Sequence, residues 1–384
     1  MFTFLFFIFS IVNAVETKPT LIILQFQKQR ESYKSFISYI ETQTKSVEIV
    51  EMDTKITFES FGEYNYHSVY ILAPKYNFKQ ISKNAMKDFI SKGGNVFFAI
   101  SQATNQNVKL FTKMFKVIVG SSENFVDKKV ETVESSLFPS TEINYKGVSM
   151  TIPKADSFVP LIKYGFSDTE EILAASFQSL TNGRLAIIGS VEMFNDENYE
   201  NNKKFIQPLI QWVLQLHGKL ELKNVQITKL DGKPDIENEG MFFTNDTVSV
   251  RFDIEETMNG ETKGYSADDV QVEYRYVTPV ILDYATNMKN GTYDFTTVLP
   301  DQFGVYTIRI NYTRPLLTNL YYDKVTPIRP WRHDHVERFQ VQCYPFYLAF
   351  FLMSISAVIF VFFYLNYTEE KVEQKEEEKT IKNE

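Results

Sequence analysis

The side chains able to carry out chemistry are few, and most stand alone. His333-Asp-His335 with Glu337 is the densest cluster: alternate residues of an extended segment point the same way, so two imidazoles could meet one metal ion. No third ligand follows at a metal-site spacing, and a polar collar in front of an apolar segment accounts for the cluster equally well, so no metal and no cofactor is assigned. His67 and His217, the other two of four histidines, fall at the start of a predicted strand and the end of a predicted helix, where a structural role is expected. Cys343 is the single cysteine, which excludes an intrachain disulfide and a Cys-based zinc or iron–sulfur site. The sequence contains neither G-x-S-x-G nor G-x-G-x-x-G, and no P-loop, so nothing marks a nucleophile elbow or a phosphate cradle. The 48 acidic residues leave a carboxylate dyad open without pointing to one. The remaining motifs are acceptors for modification: Asn245-Asp-Thr, Asn290-Gly-Thr and Asn311-Tyr-Thr are N-glycosylation sequons if they lie in the secretory lumen.

The elements around these residues decide which compartment they meet. Phe2 to Val12 is apolar and too short to span a bilayer. With Val12 and Ala14 before a cut at Ala14/Val15, residues 1–14 read as a signal peptide. No Asp, Glu, Lys or Arg occurs from Phe339 to Thr368; within that window residues 346–365 form a span roughly 30 Å long as a helix, with Tyr344, Tyr347, Tyr364 and Tyr367 near its edges. Arg329, Arg332 and Arg338 on one side nearly balance Lys371, Lys375, Lys379 and Lys382 on the other, so loop charge does not set the orientation. A cleaved signal peptide does, giving type I topology: lumenal N-terminal part, juxtamembrane segment 329–345, span 346–365 and cytosolic tail 366–384. Asn366-Tyr-Thr then lies on the cytosolic side and stays unmodified.

The 384 residues are 23% charged and 44% hydrophobic with a net charge of −8, which describes a folded protein and disfavours a broad phosphate-binding surface. Aromatics are abundant: 34 Phe, 22 Tyr and 2 Trp. Most fall at core-periodic positions, so core packing is preferred over glycan stacking for them. Thr20 to Phe26, Ser46 to Met52, His67 to Leu72, Asn95 to Ile100 and Arg184 to Gly189 read as strands. Helical periodicity occurs at Tyr33 to Ile40, Ile81 to Lys92 and Phe205 to Leu216, and Pro208 is expected in the first turn of the last or at a kink. Residues 15–220 are thus read as an α/β domain on a mostly parallel sheet with helices on both faces, the stretch 120–180 being left open. From 221 to 328 the period changes to two. Val248, Val250, Phe252 and Ile254, then Val270, Val272, Tyr274 and Tyr276, then Tyr306, Ile308, Ile310 and Tyr312 alternate with polar residues, and Asn290-Gly291 signals a hairpin, as in an antiparallel β-sandwich.

Several segments carry a family resemblance in order along nearly the whole chain. They are Thr20-Leu-Ile-Ile, Gly93-Gly94-Asn-Val, Ser190-Val-Glu-Met-Phe-Asn-Asp196, Leu209 to Trp212, Leu299-Pro-Asp-Gln-Phe-Gly-Val-Tyr306, Arg329-Pro330, Glu337-Arg338-Phe339 and Tyr344-Pro345. Together with the signal peptide and single span they resemble the 48 kDa non-catalytic subunit family of the endoplasmic-reticulum oligosaccharyltransferase. The α/β pattern by itself suggests a Rossmann-like or amidotransferase-like N-terminal domain without a catalytic Cys, because the single Cys343 sits beside the span and outside that domain. The resemblance implies an accessory, non-enzymatic scaffold, partnered by a multispanning catalytic subunit, a ribophorin-like subunit and small membrane subunits, with no nucleic acid. Two features depart from the family pattern: a shorter middle region, and a tail in which Ile381 precedes Lys382, leaving the dilysine retrieval signal incomplete. Two other classes remain as alternatives, a lumenal enzyme with a cryptic carboxylate site and a single-pass receptor or adhesion protein. Within the span, Ala349 and Ser356 share a helical face and are candidates for packing on another helix.

Overall fold

The computed structural model describes residues 18–120, 125–135, 137–165, 171–230, 241–258, 261–331, 343–367 and 379. The signal-peptide expectation, the His333–His335 cluster, Glu337, Arg338, Phe339 and nearly all of the charged tail lie outside these residues. The chain divides into two compact units, residues 1–328 and 329–384.

The first unit is mixed α/β with several sheets. Its largest sheet begins with β1 (Thr20–Leu24), followed by helices α1 (Gln29–Ser32) and α2 (Lys34–Gln43), then β2 (Val47–Glu51). A small hairpin, β3 (Glu59–Ser60) and β4 (Glu63–Tyr64), precedes β5 (Ser68–Leu72), α3 (Lys83–Ser91), β6 (Asn95–Ala99) and α4 (Gln106–Met114). Next come β7 (Ile118–Val119), β8 (Phe125–Glu131), β9 (Glu142–Val148), β10 (Met150–Thr151), β11 (Phe158–Tyr164), β12 (Glu171–Gln178), β13 (Arg184–Ile188) and α5 (Asp196–Val213). The sheet order is β2-β1-β5-β6-β13-β12-β10-β7, with β11 also on β12. Pairings from β2 to β13 are parallel, and those from β13 outward are antiparallel. The stretch left open in the sequence supplies the antiparallel half. Hairpin partners need no crossover helix, so no strand–helix alternation marks them.

Alternation along β1 shows why its apolar run is continuous. Leu21 and Ile23 enter one core with Met86 and Phe89 of α3 and Phe111 of α4; Ile22 and Leu24 enter another with Phe36 of α2 and Leu209 of α5. Helices therefore cover both faces, as a buried parallel sheet requires. Aromatics at core positions pack ring on ring: Phe36 lies tilted 5.1 Å from Phe194, and Phe97 meets Phe194 edge-on at 5.2 Å. Helix α5 starts at Asp196 rather than Phe205, so Pro208 sits in its interior and not in its first turn. The first turns are polar, burying only Tyr199 and Asn202, which hid their period; Asp196 and Glu197 favour the helix start electrostatically. Lys204, whose carbonyl would have bonded an N–H at position 208, is exposed to water.

The remaining strands are β14 (His217–Lys229), β15 (Phe242–Phe243), β16 (Thr247–Met258), β17 (Glu261–Gly264), β18 (Gln271–Arg275), β19 (Pro279–Tyr284), β20 (Thr286–Asn287), β21 (Thr292–Val298), β22 (Gly304–Tyr312) and β23 (Leu320–Arg329). They form two antiparallel sheets, β14-β16-β21-β20 with β17, and β15-β23-β22-β18-β19. Their inner faces meet through Phe252, Tyr293 and Phe295 on one side and Tyr274, Tyr306 and Ile308 on the other, with Tyr274 and Phe295 rings 6.4 Å apart. These residues belong to the same core as α2 and α5, so apolar packing runs without a break from the α/β part into the sandwich. Two details differ from the sequence expectation. Tyr276 is 45% exposed because β18 ends at Arg275. The hairpin at Asn290-Gly291 has left-handed backbone at Lys289 and Gly291 and not at Asn290, so its loop is longer than a two-residue turn.

In the second unit, α6 (Tyr344–Leu365) begins two residues before the expected span and opens with Pro345 in its first turn, where the missing N–H costs nothing. Among the described residues it is the one helix long and apolar enough to cross a membrane, about 33 Å at 1.5 Å per residue.

Candidate functional site

The most elaborate polar arrangement lies where the α/β part joins the sandwich. Arg184, the first residue of β13, is fully buried, although it opens a run that otherwise reads Leu-Ala-Ile-Ile. Its guanidinium donates to the carbonyl oxygens of Trp212, His217 (2.8 Å) and Gly218 (2.8 Å), closing the connection between α5 and β14, and stacks 4.9 Å from the Trp212 ring. Burial lowers its pKa to about 9, which still leaves it charged at neutral pH. Trp212 in turn donates from Nε1 to the Leu316 carbonyl at 2.7 Å. The segment between β22 and β23 is held further by Gln178 Nε2 on the Leu317 carbonyl (2.5 Å), by the Asn319 amide on Asn182 Oδ1 (2.6 Å), and by Thr318 Oγ1, which accepts from the Leu220 amide (2.6 Å). Planar forks and amides suit this task because each can serve several backbone groups at once.

This junction positions structure rather than reacting atoms. The crevice beside it, about 510 Å³, is lined by Asp156, Ser157, Ser176, Gln178, Arg314 and neighbours, with no His, Lys or Cys among them. Ser176 spends its hydroxyl on the Val159 carbonyl (3.1 Å). Glu256 has its carboxyl pKa raised by burial, but the residues opposite it on β14 and β17 are Leu220 and Lys263, so the register supplies no paired carboxylate. Among the described residues no group of three or more His, Cys, Asp or Glu could hold a metal ion.

The residues singled out by sequence do not converge. Asn245 is exposed at the tip of the turn between β15 and β16, at φ +63°, and donates to Asp301 (3.2 Å); Asp246 beside it is buried against Lys229 (2.7 Å). Asn290 is exposed in the hairpin before β21, and Asn311 is exposed on β22 opposite Tyr321. Arg329 and Pro330 are exposed at the end of β23. Tyr344 and Pro345 open α6, Cys343 is exposed at its N-cap, and Ala349 and Ser356 lie exposed along it. Arg184 and Trp212 were not singled out for their polar contacts; the available signal was a lone arginine at the head of an apolar strand.

The sequence matches the OST48 N-terminal domain over residues 12–164 and the OST48 middle domain over residues 229–368. The chain belongs to the OST48 family. Relatives of this OST48-family chain include a Drosophila melanogaster protein named as the 48 kDa subunit of dolichyl-diphosphooligosaccharide–protein glycosyltransferase, 23% identical over 92% of each chain. An Arabidopsis thaliana protein of the same name is 23% identical over 94% of this chain and 95% of its own, and the wbp1 subunit of Schizosaccharomyces pombe is 29% identical over 50% of this chain and 47% of its own. Among solved structures, the mmIFT52 N-terminal domain aligns with 51% of this chain and 96% of its own at 16% identity and a TM-score of 0.40. A Thermotoga maritima glutamine amidotransferase aligns with 52% of this chain and 99% of its own at 10% identity and a TM-score of 0.35. Arg184 and Trp212 of the OST48-family chain fall between the two matched domains.

Proposed function

We propose that this chain is an accessory, non-catalytic subunit of the oligosaccharyltransferase complex, which N-glycosylates Asn-x-Ser/Thr using a dolichyl-diphosphate-linked glycan. The observation that carries the reading is the nearly end-to-end match to fly and plant proteins named as the 48 kDa subunit. The polar side chains at the domain junction, which hold backbone groups of α5, β14 and the β22–β23 connection, fit a scaffold. In this reading residues 18–328 are lumenal, α6 anchors them in the endoplasmic-reticulum membrane, and the tail is cytosolic. The partners are a multispanning catalytic subunit, a ribophorin-like subunit and small membrane subunits. The test is depletion followed by mild-detergent purification of the tagged chain. Underglycosylated secretory proteins and recovery of a multispanning glycosyltransferase are expected; normal glycosylation after complete removal refutes the reading.

Topology has its own readout. Asn245, Asn290 and Asn311 are exposed acceptors on the lumenal side, whereas Asn366 at the end of α6 donates to the Phe362 carbonyl (2.8 Å) on the cytosolic side. Thr→Ala at residues 247, 292 and 313 is expected to remove glycosidase-sensitive mobility shifts and Thr368→Ala to change nothing; a glycan on Asn366 would invert the topology. In the span, the small side chains of Ala349 and Ser356 permit close approach of a neighbouring helix. Leu at both positions is expected to weaken co-purification of a membrane partner, and unchanged recovery would leave that face to lipid.

A further inference from the structure

The turn joining β3 to β4 contains only Phe61 and Gly62, with Ser60 paired to Glu63 and Glu59 to Tyr64. Phe61 has φ +53° and Gly62 φ +82°, and positive values at both central positions define the type I′ hairpin turn. Asn or Asp normally fills the first of these positions, because a bulky side chain on left-handed backbone is disfavoured. Phe61 nevertheless occupies it and is fully exposed, so the ring gains no burial within its own chain.

The root of the hairpin is the opposite of its tip. Tyr64 and Phe58 pack on Phe89 of α3 with ring centroids 5.0 and 5.2 Å apart, and the Lys92 ammonium lies 5.1 Å from the Tyr64 ring centre. Asn65 braces the loop, accepting from Ser60 Oγ (2.6 Å) and donating to the Thr57 carbonyl (2.8 Å). The aromatic ring is thus presented on a stiff, anchored turn, which lowers the ordering cost of binding through it. Glu59 and Glu63 stand two residues either side of the ring, and among the described residues Glu63 pairs with an exposed Lys18 at 3.5 Å. Carboxylates in that position oppose insertion among anionic lipid headgroups and favour a basic rim.

We propose that Phe61 is a docking anchor that fills an apolar, basic-rimmed pocket on another protein of the same complex. The inference rests on the subunit reading above. A single rigid aromatic seated in a pocket is the usual form of an interface anchor. It explains why a residue poorly suited to the turn, and useless to the core, stands at its tip.

The test places a photo-crosslinking phenylalanine at position 61 of the full chain in membranes and compares Phe61→Asn and Glu59→Lys/Glu63→Lys in the purified complex. Expected are a crosslink to one protein that also co-purifies in stoichiometric amount, and several-fold lower recovery of that protein with either variant. Phe61→Asn, better suited to the turn, is expected to keep or raise the thermal midpoint of the chain. Crosslinks confined to lipid or to a second copy, or no crosslink while other subunits co-purify, overturn the docking role alone. A lowered midpoint for Phe61→Asn also overturns it, because the ring would then serve its own fold. If the wild-type chain recovers no other subunit, the subunit reading falls and the docking role with it.

Discussion

Replacing Arg184 by Met keeps an aliphatic stem of similar reach and removes the guanidinium fork. Three charge-assisted bonds are lost, each worth about 1.5–3 kcal/mol in its local setting. Two of the carbonyls released keep a backbone donor, since Gln215 N reaches the Trp212 oxygen at 3.0 Å and Thr318 N reaches that of Gly218 at 3.0 Å. Deleting the buried charge also recovers a desolvation penalty of several kcal/mol. The difference is a net destabilisation of about 3 kcal/mol. At roughly 2.1 cal/mol/K per residue over some 300 cooperative residues, that lowers Tm by about 5 °C. Thermal unfolding of the detergent-solubilised chain, followed by circular dichroism and by tryptophan fluorescence, reads this directly. Arg184→Lys is the sharper variant. It keeps the charge, but its single ammonium cannot span the carbonyls of Trp212, His217 and Gly218, so it is expected to lose nearly as much as Met. A Met variant as stable as wild type, or a Lys variant that restores full stability, would refute the claim that fork geometry secures the junction.

Other substitutions probe the same unit. Gly183 precedes Arg184, and a Cβ there would collide with the Ile90 carbonyl at the end of α3; Gly183→Ala is expected to cost about 1–3 kcal/mol, read as a lower denaturant midpoint. His217 is held below the ordinary imidazole pKa by burial and then by the Arg184 charge. The unfolded chain therefore takes up a proton below about pH 6.5 that the folded chain refuses, and stability present above that pH falls as pH drops through it. One proton limits the slope to about 1.4 kcal/mol per pH unit, and His217→Gln is expected to flatten the Tm-versus-pH curve between pH 7.5 and 5.5. Trp212→Phe removes the bond to Leu316 while keeping a ring under Arg184, and a loss of about 1–3 kcal/mol in urea unfolding is expected.

Legibility followed burial pattern. Strands buried on both faces, such as Thr20–Leu24 and Asn95–Ala99, were readable as apolar runs, and half-buried ones, such as Gly304–Tyr312, as alternation. The first turns of α5 were not, because they carry Asn, Glu and Lys and bury little. The stretch 120–180 stayed open because its strands join as antiparallel neighbours, β8 on β9 and β11 on β12, with no helix between them to mark the alternation, and two-residue strands such as Met150–Thr151 have no period to read. The junction was invisible for a different reason. Arg184, Asn182 and Thr318 act on main-chain groups of residues far away in sequence, and backbone acceptors leave no mark on residue identity. In the sequence Phe61 is one more aromatic in an aromatic-rich chain; only its backbone angle and its exposure set it apart.

The unbroken core shared by sheet, helices and sandwich makes residues 18–328 one fate rather than two. A fragment cut between the α/β part and the sandwich would inherit an open apolar wall that neither half can close alone. Quality control would therefore see a lesion in either half as failure of the whole, and a cell carrying such a variant would lose the protein outright instead of keeping a half-working remnant.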